Sequence, residues 1–235
     1  VAFDPHAVPS PSYVCDLGVL RRNLEVLANV QRRGGCSVLL ALKGFAMWST
    51  FDLVRQYLDG ATASGLHEAL LAHEEMRGEV HTYSPAFKEE EIEQIASISD
   101  HLVFNSPSQL KRFSAMAKKV NPNLSLSLRV NPEFSSSPVD LYNPCGLYSR
   151  LGTTFANFDE SILGELDGLN FHALCEQNVD ALEGVLAAFD ALEAYIESLP
   201  INVLSQGRQR SYLKPDQPEV SASSGLPVEH PFSLG

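Results

Sequence analysis

One lysine in this 235-residue sequence stands where an amine can do covalent chemistry. Residues 38–42 (VLLAL) are five apolar residues in a row, followed at once by Lys43 and Gly44. Such a run reads as a strand buried on both faces, and the residue after it lies at the strand's carboxyl end, where parallel α/β folds bind ligands. Partial desolvation there disfavours the ammonium form and leaves an amine able to form a Schiff base with an aldehyde. The alternative is a lysine that snorkels out of a strand end. Lys88, Lys111, Lys118 and Lys119 fall on or beside polar helical segments. His172, in NFHALCE, lies near the end of another apolar strand, and a lone histidine there is either a packed core residue or a flat ring offered to a ligand.

Other patterns carry less. His67, Glu68 and His73 resemble a metalloprotease signature, but six residues separate the histidines instead of four, so they do not share a helical face. Ser84, Ser106 and Ser149 sit in strand-to-helix turns without a G-x-S-x-G elbow. The run Glu89, Glu90, Glu91 reads as a solvated first helical turn.

The elements that must position Lys43 and His172 alternate in type. A Pro-rich lead-in and a short strand at residues 13–15 precede Asp16, which is placed to cap a helix carrying Leu17, Leu20, Leu24, Leu27 and Val30 at helical spacing. After the Lys43 strand come a helix at 51–58, a strand at 60–63, a helix at 66–76 and a strand at 80–83. A helix at 89–98, a strand at 102–104, a helix at 106–118 and a strand at 124–130 continue the pattern. Beyond the polar loop 131–150, a strand at 169–174 and a long helix at 180–199 follow. Strictly alternating strands and helices predict a parallel sheet, either an eight-stranded α/β barrel left unfinished or a doubly wound open sheet. No G-x-G-x-x-G follows the first strand, which counts against a dinucleotide fold. From about residue 200 the sequence loses all period and is rich in Pro, Ser, Gln and Gly, as unstructured segments are.

Composition narrows the class. Hydrophobic content of 44% and charged content of 20% suit a globular protein, and 17 basic against 29 acidic residues give a net charge of −12. There is no basic stripe for nucleic acid or an anionic membrane. The acidic balance mildly favours a polycationic ligand, though such charge more often only maintains solubility. The four cysteines, Cys15, Cys36, Cys145 and Cys175, form no C-x-x-C pair, which fits a reducing cytoplasm and no structural zinc. No apolar run is long enough to span a bilayer, and no signal peptide opens the chain.

LALKGFAMWS, DGATASGLHEALLA, HTYSPAF, VFNSPSQL, LRVNP, DLYNPCGLYSRLG and FHALCEQN, in this order and with these spacings, resemble the carboxynorspermidine decarboxylases. These are pyridoxal-phosphate-dependent enzymes of fold type III, with an alanine-racemase-like barrel. The resemblance covers residues 11–199. It implies that Lys43 carries pyridoxal 5′-phosphate covalently and that His172 stacks on its ring. Arg150, after the polar loop, matches a basic residue near the cofactor in related barrels; a surface salt bridge is the other reading. Glu176 either faces the ammonium groups of a polyamine precursor or caps the following helix from outside.

The implied reaction is decarboxylation of carboxynorspermidine or carboxyspermidine, with a diaminopimelate-decarboxylase-like or alanine-racemase-like activity as alternatives on the same barrel. Family members are expected to be cytoplasmic homodimers that bind neither nucleic acid nor membrane. The resemblance also predicts a longer chain. Residues 1–16 are then a lead-in and a strand belonging to an absent β domain, 17–199 a partial cofactor-binding barrel, and 200–235 an aberrant tail. That tail offers only Gln206, Gly207 and Arg208 where the family has a phosphate-holding glycine run, so the expectation is a truncated and inactive chain.

Overall fold

The computed structural model describes residues 4–174 and 177–198. The Asp16 carboxylate accepts the Gly18 and Val19 amides at 2.8 and 3.0 Å, opening helix α1 (Leu17–Gly34) as the sequence predicts. Gly35 closes it in the left-handed region at φ 60°, its amide on the Gln31 carbonyl. The apolar stripe of α1 is only partly used. Leu24 is buried, whereas Leu17, Leu27 and Val30 stay exposed.

Six strands follow: β1 (Leu39–Ala41), β2 (Gly60–Ala63), β3 (Glu79–Tyr83), β4 (His101–Phe104), β5 (Ser125–Arg129) and β6 (Gly168–Asn170). All are parallel and lie side by side in chain order. The helices between and after them are α2 (Phe51–Val54), α3 (Leu66–Leu71), α4 (Glu89–Ile98), α5 (Pro107–Val120) and α6 (Val179–Ser198). A doubly wound sheet must reverse its strand order at a switch point. Here every new strand adds on the same side, which is how an α/β barrel wall grows, and the open-sheet alternative is excluded for these strands.

Pairing register divides the sheet into two faces. Val80, Leu102, Phe104, Leu126 and Leu128 point one way; the last four pack with Ile92 and Ile95 of α4 and Leu110 and Phe113 of α5, and Val80 with Ala69 and Met76. His81, Tyr83, His101, Ser127 and Arg129 alternate with them and so point the other way, toward the side that a barrel encloses. Gly60 is required where β2 meets β3, because a Cβ there would lie 2.0 Å from the Glu79 carbonyl oxygen.

Several expectations change. Residues 13–15 form no strand, and Tyr13 is almost wholly exposed; a strand needs a ladder partner and none of the described residues offers one. The run 38–42 contributes a three-residue strand that is half-buried, not buried on both faces, because β1 pairs with β2 alone among the described strands. The helix expected at 51–58 is α-helical only to Val54, and the one expected at 66–76 gives way after Leu71 to a π turn closed by the Arg77 amide on the Ala72 carbonyl. The last strand stops at Asn170 instead of Leu174. The expectations for Glu176 and for everything from residue 199 on lie outside the described residues.

Candidate active site at the strand ends

The candidate side chains lie at the carboxyl ends of β1, β3, β5 and β6. Lys43 follows β1 by two residues, in the turn closed by the Gly44 and Phe45 amides on the Ala41 carbonyl. It is exposed, so the burial expected of it is not supplied by the described residues. His172 follows β6 by two residues and is also more exposed than a core histidine. Its pKa is held below the ordinary value, first by partial desolvation and then by the positive charges of Lys43 and Arg129. The charges of Lys43 and Arg129 therefore both bear on one imidazole.

Arg129 is the residue that sequence reasoning missed. It ends β5, is only 4% exposed, and donates from Nη2 to the His172 carbonyl at 3.1 Å. Its guanidinium carbon lies 4.7 Å from the centre of the Tyr83 ring, a cation–π stack that ties β5 to β3. Its Nε is buried without a hydrogen-bond partner. A period-two reading would have found it. In SLSLRV the leucines and Val130 alternate with Ser125, Ser127 and Arg129, so an apolar helix-facing side puts the arginine inside.

Tyr83 donates from its hydroxyl to Asn105 Oδ1 at 2.8 Å, and burial pushes its pKa up against the opposing influence of Arg129. Asn105, just past β4, also accepts the Gly152 amide at 2.7 Å and donates to the Arg150 carbonyl at 2.8 Å. Arg150 is thus anchored beside the site through its backbone, while the residue itself is exposed. Gly152 takes φ 80°, and a Cβ there would meet the Val130 carbonyl carbon at 2.9 Å. The loop 131–150 returns over the strand ends: Ser135 Oγ donates to the Ala173 carbonyl at 3.1 Å, and Gln177 donates to Ser136 Oγ at 3.0 Å. Cys145 on this loop is close enough for Arg129 to act on its thiol, whose pKa burial raises.

This donor set suits an anionic, aldehyde-bearing cofactor. It offers an accessible primary amine, a flat ring, and a buried guanidinium with one N–H unmet and no ion-pair partner among the described residues.

No family model matches the sequence. Among curated proteins, the chain is 51% identical over 182 residues to a carboxynorspermidine/carboxyspermidine decarboxylase of Campylobacter jejuni, covering 77% of this chain and 47% of that protein. It is 38% identical over 186 residues to a carboxyaminopropylagmatine decarboxylase of Synechocystis, covering 79% and 48%. The solved carboxynorspermidine decarboxylase of Campylobacter jejuni in complex with norspermidine superposes with a TM-score of 0.68 at 47% identity, over 78% of this chain and 46% of that one. The chain spans about half the length of the curated relatives it matches.

Proposed function

Because this chain is a homologue of the carboxynorspermidine/carboxyspermidine decarboxylases over about half of their length, we propose that it is the barrel part of an enzyme that decarboxylates carboxynorspermidine or carboxyspermidine to the corresponding polyamine. The observation that carries this reading is the convergence of Lys43, Arg129 and His172 at one set of strand ends. Pyridoxal 5′-phosphate, when bound, would supply an electron sink for the charge left as carbon dioxide departs. Lys43 would hold it through Nζ and His172 would lie flat against its ring, while Arg150 contributes from the loop.

Arg129 serves as a positioning residue. By holding the His172 carbonyl while stacked on Tyr83, it fixes the height of the imidazole over the site. The neutral form of His172 is favoured by its surroundings, so it adds no third positive charge beside Lys43 and Arg129. The loop 131–150 narrows the approach and excludes water from one side. Glu176 is the proposed contact for a substrate ammonium group. Residues 17–199 form the barrel portion in this reading, and residues 1–16 pair with a further domain. A homodimer belongs to the same proposal, supported by Leu141, Tyr142, Leu147 and Tyr148, which stand exposed on the loop beside the site. No helix among the described residues is long and apolar enough to cross a membrane. Cys15, Cys36 and Cys145 are free, in keeping with the reducing cytoplasm we propose.

The test is chemical. Purified chain is mixed with pyridoxal phosphate, reduced with borohydride and digested, and the peptide bearing Lys43 is expected to carry the label. Lys43→Ala should lose it. A label spread over Lys88, Lys111 and Lys118 instead would overturn the assignment. Carbon dioxide release from carboxynorspermidine or carboxyspermidine, with none from diaminopimelate and no racemisation of alanine, separates this reading from the two alternatives on the same barrel.

A further inference from the structure

The inner face of the sheet holds a second cluster, nearer the amino ends of the strands, that the decarboxylase reading does not use. Glu79 and His81 are two residues apart on β3 and therefore share a face. His101, the first residue of β4, is the register partner of His81. Neighbouring strands lie about 4.8 Å apart, which brings register-paired side chains together. The two imidazole centres are 4.0 Å apart with an interplanar angle of 31°. His81 Nε2 is 3.0 Å from Glu79 Oε2, and one donor atom from each of the three residues lies within 4.8 Å of the others.

We propose that Glu79, His81 and His101 form a binding site for one divalent transition-metal ion, zinc in preference to magnesium or calcium. Two imidazole nitrogens and one carboxylate oxygen are the ligand set of three-coordinate protein zinc sites that keep a fourth position open, whereas the hard cations take oxygen alone. Zinc–nitrogen bonds of about 2.0–2.1 Å in a tetrahedron set ligand atoms about 3.3 Å apart. The His81–Glu79 pair already meets that spacing, and the His101 donor atom needs to close at most about 1.5 Å.

The surroundings favour the ion. Two imidazoles this close cannot both hold a proton cheaply, but both can ligate one cation. The Asp100 carboxylate, fixed by the Val80 amide at 2.8 Å, adds negative charge nearby. Side-chain exposures of 28% for His81 and 46% for Glu79 leave a path for the ion and for a water in the fourth position. Tyr83, two residues further along β3 and stacked under Arg129, separates this cluster from the Lys43 site.

The experiment uses the untagged full chain, stripped with a chelator and titrated with zinc and with cobalt in place of zinc. One equivalent should bind, cobalt should give the visible absorption of a tetrahedral site, and the melting midpoint should rise on zinc addition. His101→Gln and Glu79→Gln should each weaken zinc binding by roughly tenfold or more. The double replacement of the exposed His67 and His73 should leave stoichiometry and affinity unchanged, as should Lys43→Ala. Should His101→Gln fail to fold by circular dichroism, Glu79→Gln carries the test. Absence of stoichiometric binding, or binding that survives both single replacements, would overturn the proposal and leave a Glu79–His81 ion pair with a stacked neighbour.

Discussion

The middle of the sheet and its two margins are built differently. Strands β3, β4 and β5 have four or five residues, each paired on both sides, with Leu102, Phe104, Leu126 and Leu128 wholly or almost wholly out of water. Strands β1 and β6 have three residues, pair on one side among the described strands, and are half-buried or exposed along their length. Yet Lys43 and His172 stand on the margins, while the middle contributes Arg129, which holds the His172 carbonyl, and Tyr83, stacked on Arg129. Rigidity and accessibility are thus divided between regions. The middle supplies fixed geometry, the margins supply exposed groups, and the hydrogen bond from Arg129 to the His172 carbonyl links the two beyond the β5–β6 ladder.

The comparison breaks most visibly at Phe104. Phe104→Ala should cost about 3–5 kcal/mol, since it opens a cavity in a fully packed layer. Leu40→Ala on β1 should cost well under half as much, because a half-buried leucine has less to lose. Chemical denaturation of both variants measures the difference, and equal losses would mean that β1 is held as tightly as β4.

A smaller effect is expected where the two regions meet. Arg129→Met keeps the length of the side chain but abandons the His172 carbonyl and the Tyr83 ring, at about 1–3 kcal/mol. Borohydride labelling of Lys43 should weaken at fixed pyridoxal phosphate even where the variant is fully folded. A variant that loses stability but labels normally would confine Arg129 to packing.

The smallest effect concerns pH. The pKa of His172 is lowered in the folded chain, and so is that of His81. The unfolded chain therefore binds protons more readily, and the stability these groups contribute is present above the usual histidine value of about 6.5 and is lost as pH falls through the folded values. The melting midpoint should decline from pH 7 to pH 5. His81→Gln and His172→Gln should each flatten that decline, His81 the more, being the better buried. A midpoint that drops equally in the parent and in both variants would place the acid sensitivity in other groups.

Much of this arrangement is written in the sequence at short range. The alternation of apolar strands and amphipathic helices yields all six strands, and local signals yield the Asp16 cap and the full extents of β2 and α4. What periodicity does not carry is the number of neighbours a strand will have, and this is why residues 38–42 read as buried on both faces while β1 is a margin. Nor does it carry register. Glu79 and His81 are visibly on one face from their spacing, but only the pairing of β3 with β4 brings His101 beside them. Arg129 was legible from alternation alone. Arg150 drew attention through its motif, although the structure joins it to the site through its carbonyl.

Asn105 has a consequence for how the two sides of the site can change over time. One carboxamide receives the Tyr83 hydroxyl and the Gly152 amide and grips the Arg150 carbonyl. The Tyr83 hydroxyl on the sheet and the end of the loop at Arg150 and Gly152 therefore answer to the same side chain. A substitution in the loop that shifts residues 150–152 is transmitted through Asn105 to Tyr83 and the guanidinium stacked on it. The loop end at residues 150–152 and the stacked pair Tyr83 and Arg129 are therefore coupled through one side chain.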